Sequence, residues 1–257
     1  QLNTTARHRT ARHRTTQHRT TRSRTRRTGA CRDAAASVGR MRVCLASTSP
    51  ARLMLLRQAG IEPLVRAPRV DEDAVVADVE AREGRVLAPD EHVLLLARRK
   101  AADVAAALRA DDPHFDGIVI GGDSMFEIHG EVLGKPHLPE VATARWHAMR
   151  GRTGILHSGH SVIRVAPGVG DREVHAVADA SVSFAADVSD AEIDAYVASG
   201  EPLLVAGAFT IDSLGGPFID RVDGDPSTVV GMSLSTVRRL AAQLGVVWTG
   251  LWNRELS

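Results

Sequence analysis

The first part of the chain with regular spacing of hydrophobic residues is a predicted short strand, residues 41–46. Three hydroxyl residues, 47–49, form a polar turn after it, and Pro50 then stands where a first helical residue would be. Gly60 ends this predicted helix, and a second short strand is predicted around residues 63–66. The pattern therefore begins with a strand–turn–helix–strand unit.

The middle of the chain carries the longest periodic pattern. Apolar residues at helical spacing predict a helix over residues 90–109, and the apolar run 117–121 predicts a short buried strand. Residues 125–127 and 132–133 predict a hairpin that turns at a His-Gly pair, and a further helix is predicted over residues 139–149.

The last third of the chain adds antiparallel strands and more helix. Two alternating segments, 155–165 and 174–184, predict an antiparallel pair. A capping box that starts at Ser189 begins a helix, residues 206–222 look strand-like and glycine-rich, and a last helix is predicted over residues 234–244. Because strands alternate with helices but include antiparallel pairs, we predict an α/β fold with a mixed central sheet.

The formal net charge of +1 hides a strong asymmetry. Residues 1–40 hold 11 Arg and one Asp, a net of +10, and residues 41–257 hold 21 basic and 30 acidic side chains, a net of −9. The first forty residues repeat a five-residue unit rich in Arg and Thr, and between Leu2 and Val38 they lack large apolar side chains. We therefore expect a disordered basic tail over residues 1–40 and a single domain over residues 41–257.

Two interpretations of this tail stay open. A basic arm could bind nucleic acid, and the chain would then be a nucleic-acid-binding or division-regulating protein. A non-native extension would explain why regular patterning starts at Met41 and why the chain begins with Gln1. We favour the second interpretation and do not expect nucleic acid among the partners, because the tail has no aromatic residue for base stacking.

The bulk composition, with 44% hydrophobic and 25% charged residues, is typical of a soluble globular chain. The longest apolar runs are far shorter than the roughly 20 residues that span a bilayer, and no basic segment precedes an apolar stretch of signal-peptide length. We therefore expect a cytoplasmic protein with no membrane contact. The two cysteines, Cys31 and Cys44, predict neither a disulfide framework nor a metal site.

The polar turn after the first strand is a candidate anion site. Free backbone N–H groups at a helix N-terminus attract phosphate, and Ser47 adds a hydroxyl there. Arg52, one turn into the helix, could reach the same phosphate with its forked guanidinium. The alternative is an ordinary helix start, since Ser and Pro begin many helices.

Two further sets of charged residues could either belong to a binding site or lie on a solvated surface. Residues 71–73, Asp-Glu-Asp, could hold a hard divalent cation or simply form a solvated loop. Lys100 ends a basic run on the long helix, where such runs are mostly solvated. The two alanines after it indicate a close-packed surface from which an ammonium could reach a ligand.

The most informative segment is the apolar strand followed by Gly121, Gly122 and Asp123. Ligands of α/β sheets bind beyond the carboxyl ends of strands, and glycines permit close approach. Lys135 follows in a rigid turn before Pro136. Phosphoryl chemistry needs a carboxylate that can act as a base and bind a metal, together with lysines that neutralise the charge of the phosphates. The alternative is an Asp that begins a turn and a Lys on the surface of another.

Several short motifs follow one another in a fixed order from Met41 to about Gly245. The motifs are LASTSP at 45–50 with Arg52, VDE at 70–72, KA at 100–101, GDS at 122–124, GKP at 134–136, GR at 151–152, SGEP at 199–202, AGAF at 206–209 and GDPSTVVG at 224–231. Each motif is weak alone, but their order and spacing together are specific. Together they resemble the Maf family of nucleotide pyrophosphatases.

The resemblance implies a two-lobed fold, with an elongated mixed sheet and flanking helices around a central cleft. It implies metal-dependent hydrolysis of a nucleoside triphosphate to the monophosphate and pyrophosphate, with removal of non-standard nucleotides as a role. By the same resemblance Asp123 is the base that activates water, and Glu72 and Asp123 hold Mg²⁺ or Mn²⁺. The substrate-binding residues it implies are Ser47, Arg52, Lys100 and Lys135.

Four positions depart from the family pattern. The family commonly has a second arginine at Ala51 and, in members selective for dTTP and UTP, a threonine at Ser124. Those members also carry a lysine at the position of Val205 and a glutamine, in a strand, at the position of Asp212. The preferred nucleobase therefore stays open. A non-catalytic nucleotide sensor and a homodimer stay open as well, although the acidic and basic set as a whole favours an enzyme.

Overall fold

The computed structural model describes residues 41–254, and the predicted tail over residues 1–40 lies outside them. The strands are β1 (Arg42–Ala46), β2 (Leu64–Val65), β3 (Gly117–Ile128), β4 (Glu131–Leu133), β5 (Thr153–Ala166), β6 (Val169–Phe184) and β7 (Ile219–Gly224). The helices are α1 (Pro50–Gln58), α2 (Glu72–Glu83), α3 (Pro89–Asp111), α4 (Pro139–Met149), α5 (Asp190–Ala198), α6 (Pro226–Val230) and α7 (Leu234–Gln243). Within this part of the chain, none of the helices combines the length and the apolar character needed to cross a bilayer.

The seven strands form one mixed sheet in the order β2-β1-β3-β5-β6-β7, with β4 also paired to β3. β1 pairs in parallel with β2 and β3, and the remaining pairs are antiparallel. Helices flank this sheet, so the predicted mixed α/β fold is confirmed.

β3 corrects one prediction. The sequence pattern indicates two separate strands, with Asp123 beyond the carboxyl end of the first, whereas the structure has one strand of 12 residues. β5 pairs with it without interruption from Gly117 to Glu127, so the backbone between the two apolar segments stays extended. Asp123 therefore lies in the middle of a strand. The apolar pattern cannot reveal this, because a glycine-rich stretch with an Asp is equally typical of a turn.

The other edge of β3 is only partly covered. β1 pairs with β3 as far as Ala46, which lies opposite Gly121. β4 pairs with β3 only from Phe126 onward. Residues 122–125 therefore pair with neither β1 nor β4, and they leave a gap in the sheet at this edge.

The side chains of β3 enter three hydrophobic cores, because successive strand residues point to opposite faces of the sheet. Ile118 and Ile120 pack on the face covered by α1 and α7, and Val119 packs on the face covered by α3. Toward the other end of the strand, Phe126 and Ile128 enter a separate core with α4 and α5. The long strands thus join two lobes, and the polar stretch of β3 lies between them.

Helix α3 lies directly against the sheet at two glycines. A Cβ on Gly121 would lie 2.3 Å from the carbonyl oxygen of Ala97, and a Cβ on Gly159 would lie 2.3 Å from that of Val93. Both distances are too short for any side chain, so glycine is required at each position. This close approach holds Lys100, on the same helix, next to the polar stretch of β3.

The acidic run of residues 71–73 begins helix α2, whereas its sequence predicts a cation site or a solvated loop. Asp71 is the N-cap and accepts a hydrogen bond from the backbone N–H of Ala74, and Glu72 and Asp73 occupy the first turn. Acidic residues at this position also stabilise the positive end of the helix dipole. None of the residues of α2 is fully buried, so the helix lacks the strong apolar stripe by which helices are recognised in a sequence.

The prediction of strand over residues 206–222 is wrong for most of that segment, since β7 begins only at Ile219. The carboxylate of Glu201 accepts hydrogen bonds from the hydroxyls of Thr210 and Ser213 and from backbone N–H groups at Leu214 and Gly215. These bonds hold the segment in a compact loop. An interaction between residues so far apart in sequence leaves no periodic pattern.

We expect Gly159→Ala to lower the free energy of unfolding by about 1–3 kcal/mol, because the new methyl group would overlap the backbone of α3. Urea denaturation followed by circular dichroism measures this change. Gly170→Ala is the matched control, because a Cβ there meets no atom within 4 Å. Equal stability of the two variants would contradict the close approach of α3 to the sheet.

Candidate active site

The candidate site lies at the gap in the sheet between the end of β1 and the start of β4. The turn after β1 brings Ser47 to this gap, where the side chain is buried. The backbone N–H of Ser49 donates to the Ser47 hydroxyl at 3.0 Å, and the Ser49 side chain caps α1 by accepting from the N–H of Arg52. The N-terminus of α1 is thus presented at the gap.

Glu72, Lys100 and Asp123 form a charged cluster beside this turn. The Lys100 ammonium lies 2.8 Å from Oδ1 of Asp123 and 2.9 Å from Oε1 of Glu72. The side chains of Lys100 and Asp123 are only 8% and 14% exposed, whereas Glu72 is 48% exposed. A buried ammonium is stable only when it is paired and hydrogen-bonded, and the two carboxylates meet this need.

Arg52 is held by three groups on the opposite side of β3. Its Nε donates to the carbonyl oxygen of Gly231 at 2.8 Å, and one terminal nitrogen donates to the Ser124 hydroxyl at 3.1 Å. The other terminal nitrogen lies 3.4 Å from the Ser47 hydroxyl. Burial lowers the pKa of Arg52 from its ordinary value, and the negative charges of Asp123 and Glu72 oppose this shift.

The alternation of β3 divides the site between the two faces of the sheet. Asp123 points to the face of α3 and meets Lys100, whereas the next residue, Ser124, points to the other face and meets Arg52. A carboxylate and a guanidinium that approach from opposite faces are thus positioned by two consecutive residues of one strand.

Ser124 and Ser158 belong to the site although the sequence analysis gives neither a role in it. Their hydroxyl oxygens lie 2.7 Å apart on neighbouring strands, and Ser158 also donates to the carbonyl oxygen of Thr228. The register of β3 and β5, which places these two residues opposite each other, is a property of strand pairing. Only the serine of the GDS motif gives a hint of this contact in the sequence.

Lys135 is not brought into this cluster. It lies exposed in the loop after β4, and it forms no ion pair within residues 41–254. Its loop is fixed through the neighbouring Gly134, whose carbonyl oxygen accepts from the backbone N–H of Gly207. The other predicted site residues do lie around the gap: Ser47, Arg52, Glu72, Lys100 and Asp123.

Two carboxylates of the site are candidates to hold a divalent cation. Glu72 and Asp123 both contact the single ammonium of Lys100, so both already point at one positive charge. No group of three or more His, Cys, Asp or Glu side chains suited to a metal occurs in the described part of the chain. Two carboxylates match Mg²⁺, which commonly takes one or two protein carboxylates together with water and substrate phosphates.

The four positions that depart from the family pattern differ in their location relative to the site. Ser124 contacts Arg52 directly, whereas Ala51 is half-buried on α1. Val205 is half-buried between two short helical turns. Asp212 is exposed in a bend of the loop that Glu201 organises, so it does not lie in a strand as the family pattern implies.

Asp225 organises the segment that supplies the Gly231 carbonyl. Its carboxylate accepts from the N–H and hydroxyl of Ser227, from the hydroxyl of Ser233 and from the N–H of Ser235. Burial raises the pKa of Asp225, but these hydrogen bonds outweigh it and hold the pKa well below its ordinary value. The carboxylate therefore stays charged and fixes α6 against the start of α7.

His160 is a fully buried histidine behind Arg52. Its Nε2 accepts a hydrogen bond of 2.9 Å from the backbone N–H of Ser233, which places the proton of the neutral ring on Nδ1. Burial lowers the pKa of His160 to about 4, and the nearby charge of Arg52 adds to the effect. The ring is therefore neutral at pH 7.

We expect the protein to lose stability as the pH falls through the range from 6.5 to 4. The unfolded chain binds a proton at His160 below its ordinary pKa of about 6.5, while the folded protein binds it only near 4, so acid favours unfolding. The contribution is about 2 kcal/mol between pH 7 and pH 5. Urea denaturation at the two pH values measures it.

His160→Asn should reduce this pH dependence, even though the variant is less stable at pH 7. His114→Asn is the control, because His114 is exposed and should leave the pH dependence unchanged. The assignment is wrong if both variants keep the full difference between pH 7 and pH 5.

Fold and site together define a mixed α/β protein with a charged site, here called the cleft, at the gap in its sheet. Paired carboxylates, the cations Lys100 and Arg52 and a helix N-terminus meet there, and this set is suited to a polyphosphate. The chain belongs to the Maf-like protein family, whose pattern matches residues 42–244.

Similar proteins from three organisms bear the name nucleoside triphosphate pyrophosphatase. The protein of Leifsonia xyli subsp. xyli is 64% identical over 83% of this chain and 98% of its own length. That of Rhodococcus jostii is 53% identical over 81% of this chain and 94% of its own. That of Corynebacterium efficiens is 45% identical over 83% of this chain and 100% of its own. The Staphylococcus aureus Ham1 structure covers 56% of this chain and 72% of its own at 11% identity, with a TM-score of 0.28, too low to support an argument.

Proposed function

We propose that the protein is a metal-dependent nucleoside triphosphate pyrophosphatase, which converts a nucleoside triphosphate and water to the monophosphate and pyrophosphate. The observation that carries this proposal is the charged cluster of Glu72, Lys100 and Asp123 beside Arg52. The relatives that bear the name of this activity, at up to 64% identity over nearly their whole length, support it.

The cations of the site suit a triphosphate with about four negative charges. Arg52 is held at the gap by Ser47, Ser124 and Gly231, so its guanidinium is positioned before substrate arrives. Positioning of this kind spares the cost of ordering a long side chain on binding. The positive end of the α1 dipole would add to this attraction, and Lys135 would reach the phosphates from the loop after β4.

Asp123 is the proposed general base. Its carboxylate would take a proton from a water molecule while the water oxygen bonds to phosphorus at the α–β anhydride. The bond from this α phosphorus to the oxygen that bridges it to the β phosphate breaks, and pyrophosphate leaves with the electron pair of that bond. Because strand pairing with β5 fixes the backbone of Asp123, the position of its carboxylate relative to the substrate is constrained.

Glu72 and Asp123 would hold Mg²⁺ or Mn²⁺, which would supply positive charge to the phosphates and make a bound water more acidic. Both carboxylates already share one cation in the structure, and this supports the assignment. With only two such side chains, the remaining ligands would be water and phosphate oxygens.

The cellular setting is part of the same proposal. We place the protein in the cytoplasm, with a nucleoside triphosphate as its partner and with neither membrane nor nucleic acid among its partners. Removal of non-standard nucleotides is the role that we propose for it, and a homodimer is the assembly that we propose. Asp212 is exposed and Val205 is half-buried, and both differ from the residues of the members selective for dTTP and UTP. The preferred nucleobase is therefore to be found by a screen of common and modified triphosphates.

We expect Asp123→Asn to lower the rate of pyrophosphate release by at least 100-fold, because the amide cannot accept the proton of water. The assay measures pyrophosphate from each triphosphate in the presence of Mn²⁺. Asp223→Asn is the matched control, because Asp223 is 69% exposed and, among residues 41–254, pairs with Arg221 alone; it should retain full activity.

The proposal fails if the wild-type protein releases no more pyrophosphate than Asp123→Asn from any triphosphate tested. Binding of a triphosphate without release of pyrophosphate would support a nucleotide sensor in its place.

A further inference from the structure

Lys100 occupies the point at which the two acidic side chains of the site converge. Its ammonium contacts Asp123 and Glu72 at 2.8 and 2.9 Å, and the side chain is 8% exposed. An ammonium is compact and strongly hydrated, and its removal from water is offset here by these two carboxylates. Any other cation bound between the same carboxylates must therefore displace it.

Lysine is rare in this chain. Of the 32 basic residues only Lys100 and Lys135 are lysines, and the rest are arginines. An arginine would bind a carboxylate as a planar fork, whereas a lysine binds as a point charge on a flexible stem. A flexible point charge can leave one partner for another at low cost. This property distinguishes Lys100 from Arg52, which is fixed by three hydrogen bonds.

We infer that Lys100 competes with the divalent cation for Glu72 and Asp123, so that the nucleotide-free protein binds free metal weakly. This inference rests on the proposed function. A triphosphate offers the displaced ammonium a new partner of opposite charge and offers the metal its missing oxygen ligands. The protein therefore takes up metal together with the triphosphate, and Lys100 moves from the carboxylates to the phosphates when it does so.

The first test measures the binding of Mn²⁺ alone, without nucleotide, by the loss of the electron paramagnetic resonance signal of free Mn²⁺. We expect Lys100→Met to bind Mn²⁺ at least 10-fold more tightly than the wild type. Lys135→Met is the matched control and should bind like the wild type, because Lys135 contacts neither carboxylate. A second change, Glu72→Gln in the Lys100→Met protein, should abolish the gain.

The inference is overturned if the Lys100→Met protein binds Mn²⁺ no more tightly than the wild type does. So would an equal gain in Lys135→Met, because it would show a general effect of charge.

A second test needs no substitution and so does not depend on the folding of a variant. Acetic anhydride modifies lysine amines, and peptide mass spectrometry reads Lys100 and Lys135 separately. Without metal we expect buried Lys100 to react much more slowly than exposed Lys135. Millimolar Mn²⁺ should raise the modification of Lys100 severalfold and leave Lys135 unchanged. If Mn²⁺ binds and Lys100 still reacts with acetic anhydride as slowly as it does without metal, the inference is overturned.

The outcomes separate this inference from the proposed function. Neither test contains a nucleotide, so loss of the Lys100 effect leaves pyrophosphate release to be judged by its own assay. Conversely, a protein that shows the Lys100 effect but releases no pyrophosphate would refute the proposed function alone.

Discussion

The close approach of α3 to the sheet is the contact on which the rest of the site depends. It is possible only because Gly121 and Gly159 have no side chain where the backbone of the helix passes. Because α3 lies so close to the sheet, the Lys100 ammonium reaches Asp123 at 2.8 Å from a side chain that stays buried against β3. Two glycines on neighbouring strands thus determine the position of the main buried charge in the cleft, although neither glycine contacts any charged group itself.

The position of the cleft follows from where strand pairing stops. β1 ends beside Gly121 and β4 begins beside Phe126, so a short polar stretch of β3 lies between two hydrophobic cores. Within that stretch the strand period sends a carboxylate to one face and a hydroxyl to the other. Opposite charges can therefore be brought close together without either side chain crossing the sheet, and both lobes contribute to one site.

Behind the cleft, buried polar groups form a rigid support. Asp225 collects four hydrogen bonds, which fix the segment whose Gly231 carbonyl holds Arg52. His160 contributes as a neutral acceptor, because its burial makes the charged form costly. Because the Asp225 carboxylate has four hydrogen-bond partners, this support favours a single arrangement of Arg52. Lys100, by contrast, is held by the two carboxylates and not by such a network of hydrogen bonds. The site therefore has one fixed cation and one that can move.

Many of the helices and strands, and several residues of the site, can be predicted from the sequence alone. Hydrophobic periodicity predicts α3, α4, α7 and the β5–β6 pair, because each buries a continuous apolar face that recurs at the period of its element. Motif order likewise indicates the family and names Asp123, Lys100 and Arg52. Only the tertiary structure decided that Asp123 lies inside a strand, that Lys100 pairs with it, and that Ser158 and Asp225 support Arg52. Those features depend on strand register and on hydrogen bonds between distant segments, and neither leaves a repeating pattern in the sequence.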